Sequence, residues 1–256
     1  MPFTWYEYQS ILLVFIRITA LIAVAPLFSD RRIPTILKVG LGVLLGILII
    51  PVMDLAPSHY TSIPGFILAA GLEVLVGVVI GFVANLLFMG VQFSGQFMSL
   101  QMGFAAAQLF DPSTENNVPV IGEFYYIVAI LIYMAIGGHG HLLEALQGSF
   151  TAVPLGGLVF HENFFEHLTR LTADVFVIAL KIGAPIFITI LLTEMALGLI
   201  ARLVPQMNIF IFGFPLKILT GLLMIAISMP IFGRVFQALY QTSELNIYSI
   251  IGLIGP

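Results

Sequence analysis

Five ionisable side chains, Arg17, Glu73, Lys181, Glu194 and Lys217, lie in or beside long apolar runs of this chain. An unpaired charge at membrane depth is costly, so each must meet a partner, a cavity or the aqueous interface. Two chemistries follow. The charges can relay protons or ions, or they can pair structurally with neighbouring subunits or snorkel at helix ends. Lys181 and Glu194 do not serve one another: thirteen residues along one helix separate them by roughly 20 Å, although Pro185 can kink that helix. No second carboxylate stands one helical turn from Glu73 or Glu194, which argues against a relay.

Enzyme chemistry is not visible. His139 and His141 in GGHGH could suggest a metal site, but a spacing of two suits one helical face poorly and no carboxylate pair completes the set. A turn capping the following helix is the alternative. The chain has no cysteine, so disulfides and thiolate metal sites are excluded. No Gly-rich phosphate loop with its Lys and Ser/Thr is present, and Gly-Phe-Pro-Leu-Lys lacks that spacing. No catalytic residue, cofactor site or metal site is therefore expected, and no Lys/Arg run suggests nucleic acid.

Two polar interruptions mark the apolar pattern. Residues 198–219 read GLIARLVPQMNIFIFGFPLKIL. Pro205 lacks an amide donor and biases Val204 away from helical geometry, so the preceding apolar run ends in a short turn. The result is a hairpin whose tip holds Arg202, Pro205, Gln206, Met207, Asn208, Gly213, Phe214 and Pro215; an ordinary loop between buried helices is the plain alternative. The second interruption begins with Gln92, Ser94, Gln96, Ser99, Gln101 and Gln108 interleaved with Phe, Leu and Met. Such a stretch is too polar to face lipid, so it packs inside an assembly or lines a path. After Gly103 and Phe104 come Ala105, Ala106, Ala107, Gln108, Leu109, Phe110, Asp111 and Pro112, then a polar stretch to Asn117 with turn chemistry throughout. It reads as a constriction or as a surface loop.

The elements that position these residues are membrane helices. The chain is 60% hydrophobic and 9% charged, with mean hydropathy +1.10, far from a soluble globule. A bilayer core takes about 20 apolar residues per helix. Six segments qualify: 10–28, 37–53, 65–90, 121–136, 175–199 and 209–232, the fourth being short. Arg17 interrupts the first run and no basic residue precedes it, so it is expected to be a retained helix and not a cleaved signal. Arg31, Arg32 and Lys38 follow the first segment and Arg202 lies in the late hairpin, so the excess of cations on cytoplasmic loops places both connections inside. The same count puts the connection 92–119 on the cytoplasmic side. Gly42 with Gly46, and Gly77 with Gly81, have the Gly-x-x-x-Gly spacing that lets helix backbones approach, inside the monomer or against neighbours.

Four ordered stretches together resemble the flagellar biosynthetic protein FliR family, whose relatives include virulence type III secretion subunits. They are Phe15-Ile-Arg17 through Ala25-Pro26-Leu27-Phe28, GQFMSLQMGFAAAQLFDP, GGHGHLLEALQGSFTAVPLG, and ALKIGAPIFITILLTEMALGLIARLVPQMNIFIFGFPLKI. The last is the most specific. The resemblance implies an all-α membrane protein without enzyme activity, with residues 1–170 similar to the partner subunit FliP and 171–256 similar to the FliQ hairpin. It implies one copy in a helical hetero-oligomer with FliP-like and FliQ-like subunits around an export channel in the bacterial inner membrane, within the flagellar basal body. The channel passes unfolded export substrates, is closed by a loop plug at 103–112, and meets an FlhB-type switch protein at the hairpin tip. The resemblance also implies that much of the complex sits above the membrane plane, so apolar helices face sister subunits, against the count of six spans. A virulence secretion homologue and an ion-coupled transporter using the buried charges are the alternatives, with a poreless membrane scaffold as a third class. No internal repeat of the kind transporters carry is evident.

Overall fold

A computed structural model describes residues 5–30, 33–52, 60, 62–104, 120–206 and 209–256. Among the described residues the chain is helical and has no strand. The α-helices are α1 (Trp5–Val24), α2 (Thr35–Ile49, running into a 3-10 turn at Ile50–Val52), α3 (Ile63–Met102), α4 (Val120–Ala135), α5 (Gly138–Ala152), α6 (Phe164–Leu203) and α7 (Ile209–Leu253). The protein is an all-α membrane protein, with four helices long and apolar enough to cross a bilayer, or five if the bent pair α4 and α5 counts as one span.

The count of six is corrected on two points. In place of segment 37–53 stands α2, a 15-residue helix that ends at Ile49, about 22 Å long at 1.5 Å per residue and too short for a hydrocarbon core of about 30 Å. Segment 121–136 is one limb of the α4–α5 pair, bent by 70° at Ile136-Gly137. Gly137 takes φ 76° there, a left-handed conformation that suits glycine.

Segment 65–90 does not end where its hydropathy falls. It continues through the Gln-rich stretch as one 40-residue helix, so 92–102 is helix and not a connection. With α1, α3, α6 and α7 as spans, the connection at Lys38 and the turn at Arg202 share a side, as the cations require. Counting the bent pair as a fifth span instead separates Lys38 from Arg202; beyond Phe104, the connection expected on the cytoplasmic side lies, to residue 119, outside the described residues.

The contacts divide the chain into two units: residues 1–86, 137–172 and 241–256 in one, and 87–136 and 173–240 in the other. Both draw on each of the two sequence ranges 1–170 and 171–256. In the first unit both Gly-x-x-x-Gly pairs are used internally. Gly42 abuts Thr19 and Gly46 abuts the Phe15 ring, seating α2 on α1. A Cβ at Gly77 would lie 2.9 Å from the Leu21 amide nitrogen, and one at Gly81 2.8 Å from the Leu21 carbonyl oxygen. These pairs join helices of one chain and leave no small-residue face there for a neighbour. The C-terminus is tied down by amides of Val159 and His161, which donate to the carbonyls of Ile254 and Leu253 at 3.2 and 3.1 Å.

The second unit is built on aromatic side chains. Phe88 meets Tyr133 and Phe236 edge-on, with centroids 5.4 and 5.8 Å apart, and Tyr125 meets Phe232 at 4.9 Å. Edge-to-face pairing favours such contacts beyond area burial. Met98, Met102, Ile182, Ile186 and Ile190 fill the core around them.

Candidate functional site

Arg17 on α1 and Glu73 on α3, 56 residues apart in sequence, form one enclosed cluster in the first unit. Their side chains are 0% and 1% exposed. Arg17 Nε donates to Glu73 Oε2 at 2.5 Å and Nη2 to Oε1 at 3.1 Å, a forked contact that fixes both planes. The remaining guanidinium donors reach the carbonyls of Ser149 and Val153, each at 2.9 Å. The Gly156 amide donates to Glu73 Oε1 at 2.7 Å, and the Phe150 ring covers the guanidinium at 4.3 Å. Every part of the pair is matched, which is the condition under which a buried ion pair is tolerated. α1, α3, α5 and the turn after α5 are thereby joined at one point.

Tyr60 closes the edge of this cluster. Its hydroxyl donates to the Leu155 carbonyl at 3.4 Å and occupies the space a side chain on Gly156 would need. Gly156 has φ 72°, so a larger residue would meet both backbone strain and that hydroxyl. Gln9 grips the Tyr60 backbone, donating to its carbonyl at 3.0 Å and accepting from its amide at 3.3 Å. Burial first, and then the Glu73 carboxylate, raise the Tyr60 phenol above its ordinary value, so the group stays protonated as a donor.

In the second unit Glu194 pairs with Lys217 and not with Lys181: Lys217 Nζ donates to Glu194 Oε1 at 2.5 Å between α6 and α7. This pair is open, with Lys217 21% and Glu194 47% exposed. Lys181 is exposed on α6 and has no hydrogen-bond or ion-pair partner among the described residues.

The Gln-rich stretch divides by face. Ser94 and Ser99 are buried, Gln96 and Gln101 exposed, and Gln92 lies between. Among the described residues the hydroxyls of Ser94 and Ser99 are enclosed without a hydrogen-bond partner, so this part of the fold holds polar groups inside while presenting amides outside.

At its end Gly103 takes φ 88°, and a Cβ there would lie 2.6 Å from Cδ1 of the Phe214 ring. The preceding residue, Met102, packs on Gly221, where a Cβ would lie 2.6 Å from the Met102 methyl. The start of the expected plug and the hairpin are thus brought together at Gly103 and Phe214. Phe104 is half-buried and packs against the aromatic core. Ala105, Ala106, Ala107, Gln108, Leu109, Phe110, Asp111 and Pro112 lie outside the described residues, as do Met207 and Asn208.

The hairpin itself is present, with Pro205 and Gln206 in the turn. Arg202 lies in the last turn of α6, where a cation complements the helix dipole. Gly213, Phe214 and Pro215 belong to α7 and not to the loop. His139 and His141 open α5 behind Gly137, with His141 Nδ1 3.5 Å from a Glu244 carboxylate oxygen. Among the described residues no group of three or more His, Asp or Glu is placed to hold a metal ion.

Long apolar helices, a forked ion pair enclosed where α1, α3 and α5 meet, and a helical hairpin against a polar-lined helix define an all-α membrane protein. The sequence profile described as "Bacterial export proteins, family 1" matches residues 8–243, and the chain belongs to that family. It is 31% identical to the flagellar biosynthetic protein FliR of Bacillus subtilis strain 168 over 251 residues, covering 97% of this chain and 96% of that one. The proteins of the same name from Pectobacterium carotovorum and Escherichia coli K12 are 34% and 31% identical, over 85% and 88% of this chain and 83% and 86% of theirs.

Proposed function

We propose that this chain is a subunit of the bacterial flagellar type III protein export gate, needed for assembly of the flagellum. The observation that carries the reading is similarity along nearly the whole chain to proteins named flagellar biosynthetic protein FliR. In this reading residues 1–170 act as the FliP-like part and 171–256 as the FliQ-like hairpin. They complete a hetero-oligomer of FliP-like and FliQ-like subunits in the inner membrane, within the basal body, around a channel for unfolded export substrates.

Helix length supports it. α3, α6 and α7 have 40, 40 and 45 residues, about 60 to 68 Å at 1.5 Å per residue, twice the hydrocarbon core of about 30 Å. The outer faces of α6 and α7 remain apolar, with Phe176, Leu180, Leu192, Leu219 and Leu223 exposed. Apolar surface beyond the reach of lipid needs protein neighbours.

The segment 103–112 serves as the plug and the hairpin tip meets an FlhB-type switch protein. Leu109 and Phe110 supply an apolar stopper, which blocks ions by dewetting without binding them. The contact of Gly103 with Phe214 is consistent with a plug rooted beside the hairpin.

Deleting residues 106–116 tests the assignment. The assembled complex is expected to leak ions and small solutes in planar-bilayer recordings, with Phe110→Ala leaking less. A deletion complex that assembles and conducts no more than the unmodified one would remove the plug role.

A further inference from the structure

α6 carries an outward seam that the fold leaves uncovered. Asp174, Lys181, Ile188 and Met195 recur every seven residues, and Val177, Ala184, Leu191 and Gly198 recur every seven between them. This alternation of three and four is the spacing of a helix-packing seam, in which the first set takes the a positions and the second the d positions. The seam is open: Val177 is 45% exposed, Ile188 58%, Leu191 55% and Met195 60%. A Cβ at Gly198 would meet nothing within 4 Å. The two charges on it are exposed Lys181 and half-buried Asp174, neither with a hydrogen-bond or ion-pair partner among the described residues. Glu194, just beside the seam, already holds Lys217.

We propose that this seam of α6 docks one apolar helix of a different membrane subunit, which sets a carboxylate opposite Lys181 and a cation opposite Asp174. The apolar positions provide contact. The charges provide register, because a polar residue at an a position specifies partner and alignment at a cost in stability. Asp174 and Lys181 are two turns apart, about 10 Å along the axis, so the partner must repeat its opposite charges at the same interval.

A second copy of this chain does not fit. Copies inserted in the same sense pack their α6 helices in parallel, and a twofold axis along the membrane normal sets Lys181 against Lys181. Like charges facing each other in a low-dielectric contact are repulsive, so the complement has to come from another sequence. The proposal rests on the hetero-oligomeric reading and names a face and a chemistry within it.

The test uses the full chain expressed with its native partners, carrying a photoreactive phenylalanine analogue at Ile188. Irradiation should give an adduct whose added mass is that of another membrane subunit. Lys181→Met, close in length but neutral, should lower adduct yield per chain roughly fivefold or more by leaving the partner's carboxylate unpaired, while Lys181→Arg should retain it. Asp174→Asn gives an independent reading in the same direction if Lys181→Met reduces the amount of chain in the membrane.

An adduct of twice the chain's mass, adducts with lipid alone, or a yield indifferent to both neutral variants would overturn the proposal. If the partners copurify but Ile188 captures none of them, the seam assignment fails and the export-gate reading stands. A chain that purifies alone removes both.

Discussion

The two ion pairs have similar contact lengths but opposite surroundings. Arg17 and Glu73 are enclosed, forked, and completed by three backbone groups from the end of α5 and the turn that follows it. Lys217 and Glu194 meet by one donor and one oxygen on an open helix face. Distance alone does not rank them; the cost of leaving a partner stranded does. Removing one member of an enclosed pair leaves a desolvated charge, whereas a surface pair returns to solvent or to whatever surrounds it. The first pair is therefore a structural junction. It is a poor candidate for a relay, because Glu73 is already engaged by three donors.

The largest expected effect comes from breaking the enclosed pair. Arg17→Met should destabilise the chain by about 3–5 kcal/mol, read as loss of protease resistance in the purified complex. Adding Glu73→Leu should recover much of that loss, because it removes the stranded carboxylate. A double variant as unstable as the sum of the singles would mean that the two residues act separately and that the junction is misread.

The smallest effect is expected at the open pair. Lys217→Met should cost no more than about 1 kcal/mol in the same assay. A loss matching that of Arg17→Met would mean that Glu194 and Lys217 are enclosed in the assembled state, and would erase the contrast between the pairs.

The hairpin was legible in the sequence because Pro205 is a local signal: it stops a helix wherever the chain goes afterwards. The pairing of Arg17 with Glu73 was not. Both charges stood out in their apolar runs, but nothing within one turn of either names a partner 56 residues away. Their opposite signs on two separate helices were the signal available. Hydropathy misjudged the length of α3 for a related reason. Gln92, Gln96 and Gln101 look like the end of a membrane segment, yet glutamine is a good helix former, and protein neighbours or water can take the exposed amides. The Gly-x-x-x-Gly pairs were visible as close-approach sites, but spacing could not say that α1 fills them. The apolar surface left open for neighbours lies on the exposed faces of α6 and α7. Their extent depends on tertiary packing and could not be read from periodicity.

On the proposed function this chain works as one component of a mixed membrane assembly. Intact-complex mass spectrometry of the tagged chain, released from native membranes in mild detergent, measures that directly. The expected result is one copy of the chain together with two different small membrane subunits, and no stable population of the chain alone. A monodisperse monomer or homo-oligomer, unchanged when those subunits are supplied, would contradict it.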